Sequence, residues 1–137
     1  MIQGQIAWFE LPVVNLDRAV MFYSKVLDLK IEKISILNTQ YGIINKSSNI
    51  VKGALVERQD HKPGKGVILF FYVHELIRSL QQVELNGGEI LVRKTLLKQM
   101  TNDGFLAIKQ NLINDEIGYY AEFVDCEGNR ICLYSNS

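Results

Sequence analysis

Laid over itself at a shift of sixty positions, the chain meets its own pattern: Val13 falls on Val73, Leu16 on Leu76, Arg18 on Arg78 and Val20 on Leu80. The phrase Asn15-Leu16-Asp17-Arg18-Ala19-Val20 is echoed by Glu75-Leu76-Ile77-Arg78-Ser79-Leu80. Apolar residues recurring against apolar ones, and arginine against arginine, point to one supersecondary unit used twice. Each unit alone would leave one sheet face uncovered by its helix, so the two together can enclose a cavity. A chain of 137 residues suits a single domain of this kind, without disulfide or metal staples.

The element order within the first copy follows from periodicity. Ile6 to Val13 alternates as a strand, and Asn15 is placed to cap a helix over residues 16–27. Leu16, Ala19, Val20, Tyr23, Val26 and Leu27 recur at three- and four-residue steps, a buried helical stripe. Lys30 to Leu37, Gln40 to Asn45 and Gly53 to Arg58 read as three further strands, with a turn at Asn38-Thr39. Residues 60–66, with Pro63, Gly64 and Gly66, form a polar linker between unit one (1–60) and unit two (66–137).

The order then begins again. Val67 to Val73 is a strand, a helix spans residues 75–86, and Asn86-Gly87-Gly88 stops it. Glu89 to Leu96, Tyr119 to Val124 and Arg130 to Tyr134 are strands, the last two joined by a tight turn at Asp125-Cys126-Glu127-Gly128-Asn129. Residues 97–117 break the symmetry. This insertion, with Thr101-Asn102-Asp103-Gly104 and Asn114-Asp115-Glu116, reads as a loop with at most a short strand around Phe105 to Ile108.

Charge and composition exclude several functions. Fifteen basic and fifteen acidic residues balance without a run of either sign, which argues against nucleic acid or an anionic membrane as partner. The N-terminal residues lack the basic flank and apolar core of a signal peptide, and the longest apolar run, Val67 to Val73, cannot span a bilayer. Cys126 and Cys132 match no zinc or redox motif and read as reduced thiols of a cytoplasmic protein.

Several phrases, in order, resemble a known superfamily. Pro12-Val13, Asn15 to Ala19, Phe22-Tyr23 and Val26-Leu27 resemble the first unit of vicinal-oxygen-chelate proteins, the glyoxalase, bleomycin-resistance and extradiol dioxygenase group. Leu85 to Gly88 and Phe123 to Ile131 resemble the second unit. Trp8-Phe9-Glu10 and Gly128-Asn129-Arg130-Ile131 are similar to a branch related to lactoylglutathione lyase. The resemblance implies an α+β fold of two tandem βαβββ units, their curved mixed sheets set around a cavity. It also implies a homodimer, since single-domain members commonly pair so that strands of two subunits build the cavities. Pairing would bury sheet edges that otherwise invite association.

Family chemistry rests on a divalent metal held by His and Glu from the cavity strands. Carried over position by position, the ligand sites fall on Trp8, Leu55, Ile68 and Cys132. Catalytic zinc typically has three protein ligands, so one thiolate makes no site. His61 in the linker and His74 at the strand-to-helix junction read as exposed loop residues. No metal and no other cofactor is expected.

Strand alternation then names a cavity lining. With Trp8 facing inward, Glu10 and Pro12 follow; with Ile68, Phe70 and Tyr72; with Cys132, Arg130 and Tyr134. Leu55 brings Gly53 and Glu57, and the seventh strand contributes Tyr120 and Glu122. An aromatic pocket with a few carboxylates is a common form of small-ligand site. Glu10 and Glu122 are candidate general bases. Alternatively, both pair with Arg130 as a structural network, Glu57 is solvated at a strand end, and the aromatics only pack.

Three functions stay open. One is a small-molecule-binding, metal-independent glyoxalase-like protein of unassigned activity. Another is a metal-free lyase- or isomerase-type enzyme using a cavity glutamate. The last is a drug- or metabolite-sequestering protein. Zero net charge disfavours capture of a strongly cationic drug. A domain that dimerises around a disused pocket is the bland remaining possibility.

Overall fold

The computed structural model describes residues 1–47, 52–97, 99–100, 106–107, 113–114 and 116–137. Unit one runs β1 (Trp8–Pro12), α1 (Leu16–Val26), β2 (Ile31–Ile36), β3 (Thr39–Ile44) and β4 (Lys52–Glu57). Unit two opens with β5 (Leu69–Tyr72), α2 (Leu76–Leu85) and β6 (Glu89–Leu96). A short hairpin of β7 (Gln99–Met100) and β8 (Leu106–Ala107) follows, then β9 (Tyr119–Val124) and β10 (Arg130–Ser135). Where at most one short strand is expected in the insertion, two pair with each other. Thr101 to Phe105, Ile108 and Asp115 lie outside the described residues.

The architecture is α+β, with two four-stranded mixed sheets ordered β1-β4-β3-β2 and β5-β10-β9-β6. The sheets are separate and do not close into a barrel. In each, the first strand lies parallel to the last strand of its own unit, β1 on β4 and β5 on β10. The sixty-residue echo is therefore structural. Val13 donates its N–H to Val56 at 3.0 Å, and Val73 donates to Tyr134 at 2.9 Å.

Local sequence explains the helices. Asn15, in extended conformation, accepts from the Arg18 N–H and caps α1, which buries Leu16, Ala19, Phe22, Tyr23 and Val26. Its counterpart Glu75 gives α2 no side-chain cap. Asn86 ends α2, and Gly87, at φ +92°, takes the left-handed conformation that lets Gly88 return its N–H to Val83. The β2–β3 turn falls on Leu37-Asn38, one residue before the expected Asn38-Thr39. Both residues have positive φ there, the geometry of a two-residue hairpin loop.

One continuous core lies between the sheets and helices and draws on both units. Aromatic rings cross the seam. Phe22 of α1 meets Phe123 at 5.9 Å, Tyr23 meets Phe71 at 6.3 Å, and Phe9 meets Phe71 at 6.1 Å, measured between centroids. Such contacts add to plain area burial when the rings are edge-on or offset.

The core also corrects the facing of β4. Leu55 is fully buried in it, and a Cβ on Gly53 would lie 2.3 Å from the Phe9 ring. Glu57 accepts from the Leu16 N–H at 2.6 Å, at the first turn of α1. Gly53, Leu55 and Glu57 thus point toward the helices, not the cavity, and Glu57 is no solvated strand end. The register equates Pro12↔Val56 with Tyr72↔Tyr134, so the counterpart of Cys132 is Ala54. A one-residue slip along a strand turns every side chain to the opposite face.

The Asp125–Asn129 turn joins the units. Asp125 Oδ1 accepts from the N–H groups of Glu127 and Asn129, and its Oδ2 accepts from the Tyr23 hydroxyl at 2.5 Å. Asn129 Nδ2 donates to the Pro12 carbonyl of β1. The Glu127 side chain is fully buried. Its Oε1 accepts from the Val14 and Asn15 N–H groups at 2.6 and 2.7 Å, and its Oε2 from Arg18. Burial alone would raise the Glu127 carboxyl. The Arg18 hydrogen bond and the two N–H groups outweigh it and hold the carboxyl below the ordinary glutamate range.

A depressed carboxyl stabilises the fold above its unfolded pKa, about 4.3, and that contribution is lost as pH falls through the folded value. Urea midpoints should therefore decline with acidification below about pH 4.3. Glu127→Gln should lower stability at neutral pH by about 1–3 kcal/mol, the cost of disturbing a buried acceptor, and flatten that decline. Equal midpoints for the two proteins at neutral pH would refute this account of the seam.

Candidate functional site

Each sheet turns one face to the helices and the other, here called the open face although parts of it are buried, away from them. On β1, Phe9, Leu11 and Val13 enter the shared core, so Trp8, Glu10 and Pro12 lie on the open face. On β5, Leu69 and Phe71 face the core, and Ile68, Phe70 and Tyr72 do not. Ile131 and Leu133 of β10 face the core and leave Arg130, Cys132 and Tyr134 open. Ala121 and Phe123 do the same for Tyr120 and Glu122 of β9. Eleven of the fourteen expected lining residues thus share these faces. Gly53, Leu55 and Glu57 do not. Ala54, Val56 and Arg58 replace the β4 set, with Ala54 and Val56 in a small second apolar cluster alongside Ile43.

The two carboxylates are engaged differently from expectation. Glu10 does not pair with Arg130. Its Oε1 accepts from Arg58 Nε and Nη2 at 3.1 and 2.9 Å, and its Oε2 accepts from Trp8 Nε1 at 3.2 Å. Arg58 also donates to the Tyr41 hydroxyl at 3.0 Å. Glu122 does pair with Arg130, through Arg130 Nε and Glu122 Oε1. Each carboxylate is thus ion-paired with a neighbouring arginine.

Cys132 is buried beside Glu122. Burial first, then the Glu122 charge, pushes its thiol up to about 11. Burial, with Asp125 and Glu127 nearby, pushes Cys126 up to about 12. Both thiols are protonated at neutral pH, and a protonated thiol is a poor nucleophile.

The donor set does not fit a divalent metal. Among the described residues, no three His, Cys, Asp or Glu side chains converge as a ligand group. At the positions the resemblance implies for ligands, with Ala54 taking the place of Leu55 by the strand register, stand an indole (Trp8), a methyl (Ala54), a butyl group (Ile68) and a thiol (Cys132). His61 and His74 are exposed, and His74 packs edge-on against Tyr72 at 5.3 Å.

Two depressions hold part of the open set, and Tyr72 lies in neither of them, beside His74 and α2. One, about 520 Å³, lies on unit two and is lined by Phe70, Tyr120, Thr95, Leu96 and Leu97. The other, about 450 Å³, runs along the seam between the units, where Trp8, Glu10 and Arg130 meet the linker residues His61, Lys62 and Lys65. Tyr134 is buried and donates its hydroxyl to Asn114 Oδ1 at 2.7 Å, tying the end of the insertion to β10. Sequence reading missed Arg58, Tyr41 and the two lysines. A charged residue directly after β4, alternating correctly with Val56, was the available signal for Arg58. The lysines carried none beyond membership of a linker that must cross β1 to reach β5.

No curated protein matches the chain by sequence. Solved structures match its fold. A hypothetical protein of S. aureus aligns with a TM-score of 0.62 at 19% identity, covering 98% of this chain and 99% of that one. An integron cassette protein of V. cholerae gives 0.60 at 20% identity, covering 100% and 98%. A mutant of glyoxalase I from Zea mays gives 0.65 at 19% identity over 95% of this chain, which spans 45% of the maize protein. Identities this low carry the fold alone. The family model for the Glyoxalase/Bleomycin resistance protein/Dioxygenase superfamily matches residues 5–133, and the chain belongs to that superfamily.

Proposed function

We propose that the chain binds a small, planar, largely apolar molecule in the cleft on the open face of unit two, without forming a covalent bond to it. The observation that carries this reading is the pair of aromatic rings that line it, Phe70 and Tyr120. Phe70 is 52% exposed, on a strand whose other face is core. Phe70 and Tyr120 line opposite strands of a cleft of about 520 Å³, with Thr95 as a polar contact and Leu96 and Leu97 as apolar ones. That volume is of the order that holds a drug-sized ligand, and few polar groups around an apolar wall are its usual makeup.

Binding is favoured over a lyase or isomerase reaction because the chemical groups are occupied. Glu10 is held by Arg58 and Trp8, Glu122 by Arg130, and the Cys132 thiol is protonated. A second copy of the chain, related by a two-fold axis, would roof the exposed Ile68, Phe70 and Tyr72 and shield the free edges of β1 and β5. The proposed setting is the cytoplasm, where the two free cysteines would remain reduced. No helix of the described residues is long and apolar enough to cross a membrane.

Screening planar apolar fragments by thermal shift should yield saturable binders. Phe70→Ala should weaken them by about tenfold, the factor that corresponds to 1.4 kcal/mol and to the loss of one stacking wall. A library without a saturable hit would defeat the reading.

Native thiols should react with iodoacetamide at pH 7.5 at least about tenfold more slowly than the same thiols in urea, because the thiolate is the reactive form. Fast alkylation of the folded protein would instead expose an activated cysteine and revive a nucleophilic mechanism.

Light scattering should return twice the chain mass at micromolar concentration. A monomer throughout that range would exclude the proposed roof.

A further inference from the structure

We propose that the groove along the seam between the units is a second ligand site, selective for a planar aromatic anion such as an aryl carboxylate. It is separate from the unit-two cleft and does not rest on the function proposed for that cleft. The groove, about 450 Å³, combines three features that such a ligand requires.

The first feature is an aromatic wall. Trp8 is 42% exposed, and its indole N–H is engaged by Glu10 at 3.2 Å, which fixes the ring. A fixed ring costs less to order around a ligand than a mobile one.

The second is uncancelled positive charge. The charges already lining the groove offset one another: Glu10 is held by Arg58 and Arg130 by Glu122. Lys62 and Lys65, both exposed in the linker, have no ion-pair partner among the described residues. A chain of zero formal net charge therefore concentrates two free cations at one seam. An anion entering there gains their attraction, which is stronger at a partly enclosed surface than in bulk water.

The third is main chain. β1 ends its sheet, so one of its edges carries no neighbouring strand. Val13 donates to Val56. Alternation along a parallel ladder then turns the main chain of Phe9 and Leu11 toward β4, and that of Trp8 and Glu10 toward the free edge. An N–H of that edge can donate to a carboxylate oxygen. The linker is held over the groove by the Gly64 N–H, which donates to Asn129 Oδ1 at 3.3 Å, while Asn129 Nδ2 donates to the Pro12 carbonyl. The cations are thus tethered beside the indole by the same asparagine that ties the two units together.

The test uses the full chain and two isosteric probes, 2-naphthoate and its neutral analogue 2-naphthalenemethanol, titrated by calorimetry at low and high salt. The site predicts saturable binding of the naphthoate, weakened by salt, whereas the alcohol is free to occupy the unit-two cleft, where salt should not weaken it. The double variant Lys62→Ala, Lys65→Ala changes only exposed linker side chains and should lose about tenfold in naphthoate affinity while leaving alcohol binding unchanged, and Phe70→Ala should do the reverse. A naphthoate affinity indifferent to salt, an unaffected double variant, or no saturable heat would each overturn the proposal. Loss of naphthoate binding in Phe70→Ala alone would place the anion in the unit-two cleft instead and overturn it as well.

Discussion

The structure depends on one buried carboxylate. Glu127 sits in the turn between β9 and β10 of the second unit, yet its carboxylate reaches into the first, to the N–H groups of Val14 and Asn15 and the guanidinium of Arg18. A charge sequestered from water is tolerated only when hydrogen bonds replace its hydration. Here they do so at the N-terminus of α1, where the helix dipole also favours negative charge. Asp125 organises the same turn from within and receives the Tyr23 hydroxyl from α1. Burial and the Asp125 charge push that phenol well up, so it acts as a donor throughout the physiological range.

This seam positions the open faces. α1 is pinned at its start by Glu57 of its own sheet and by Glu127 of the other, so it packs on both. Phe22, Tyr23, Phe9 and Phe71 then fill the space between the units, and the strand faces turned away from that core become the only place for Trp8, Phe70, Tyr72 and Tyr120. The fold thus leaves aromatic residues in solvent as a consequence of which face the helices cover. Their carboxylate neighbours arrive already matched with arginines, Glu10 with Arg58 and Glu122 with Arg130.

Much of this was legible in the chain. The sixty-residue echo, the Asn15 cap, the α1 stripe and the Asn86-Gly87-Gly88 stop are local signals, set by neighbouring residues and backbone preference. Alternation placed β1, β9 and β10 because each carries a polar mark, Glu10, Glu122 and Arg130, on the face away from the core, and β5 alternates in exposure. β4 carries none: Ala54, Leu55 and Val56 are all buried, since both faces of that central strand are covered. With no polar mark to break the tie, the assignment relied on counting, and a slip of one residue sent Leu55 and Glu57 to the wrong side. The partner of Glu10 was hidden for a related reason, because Arg58 reaches it across a strand pairing whose register no local pattern states.

By itself, then, the sequence determined the two units, their helices and most of the strand faces, because these follow from periodicity and capping within a few residues of each position. Tertiary structure alone decided what those side chains meet. Glu127 became the cap of a helix more than a hundred residues earlier, Glu57 a second brace for the same helix, and Lys62 and Lys65 neighbours of Trp8. Each of these contacts joins residues remote in the chain, and its energy comes from burial and charge created only when strands, helices and linker pack together.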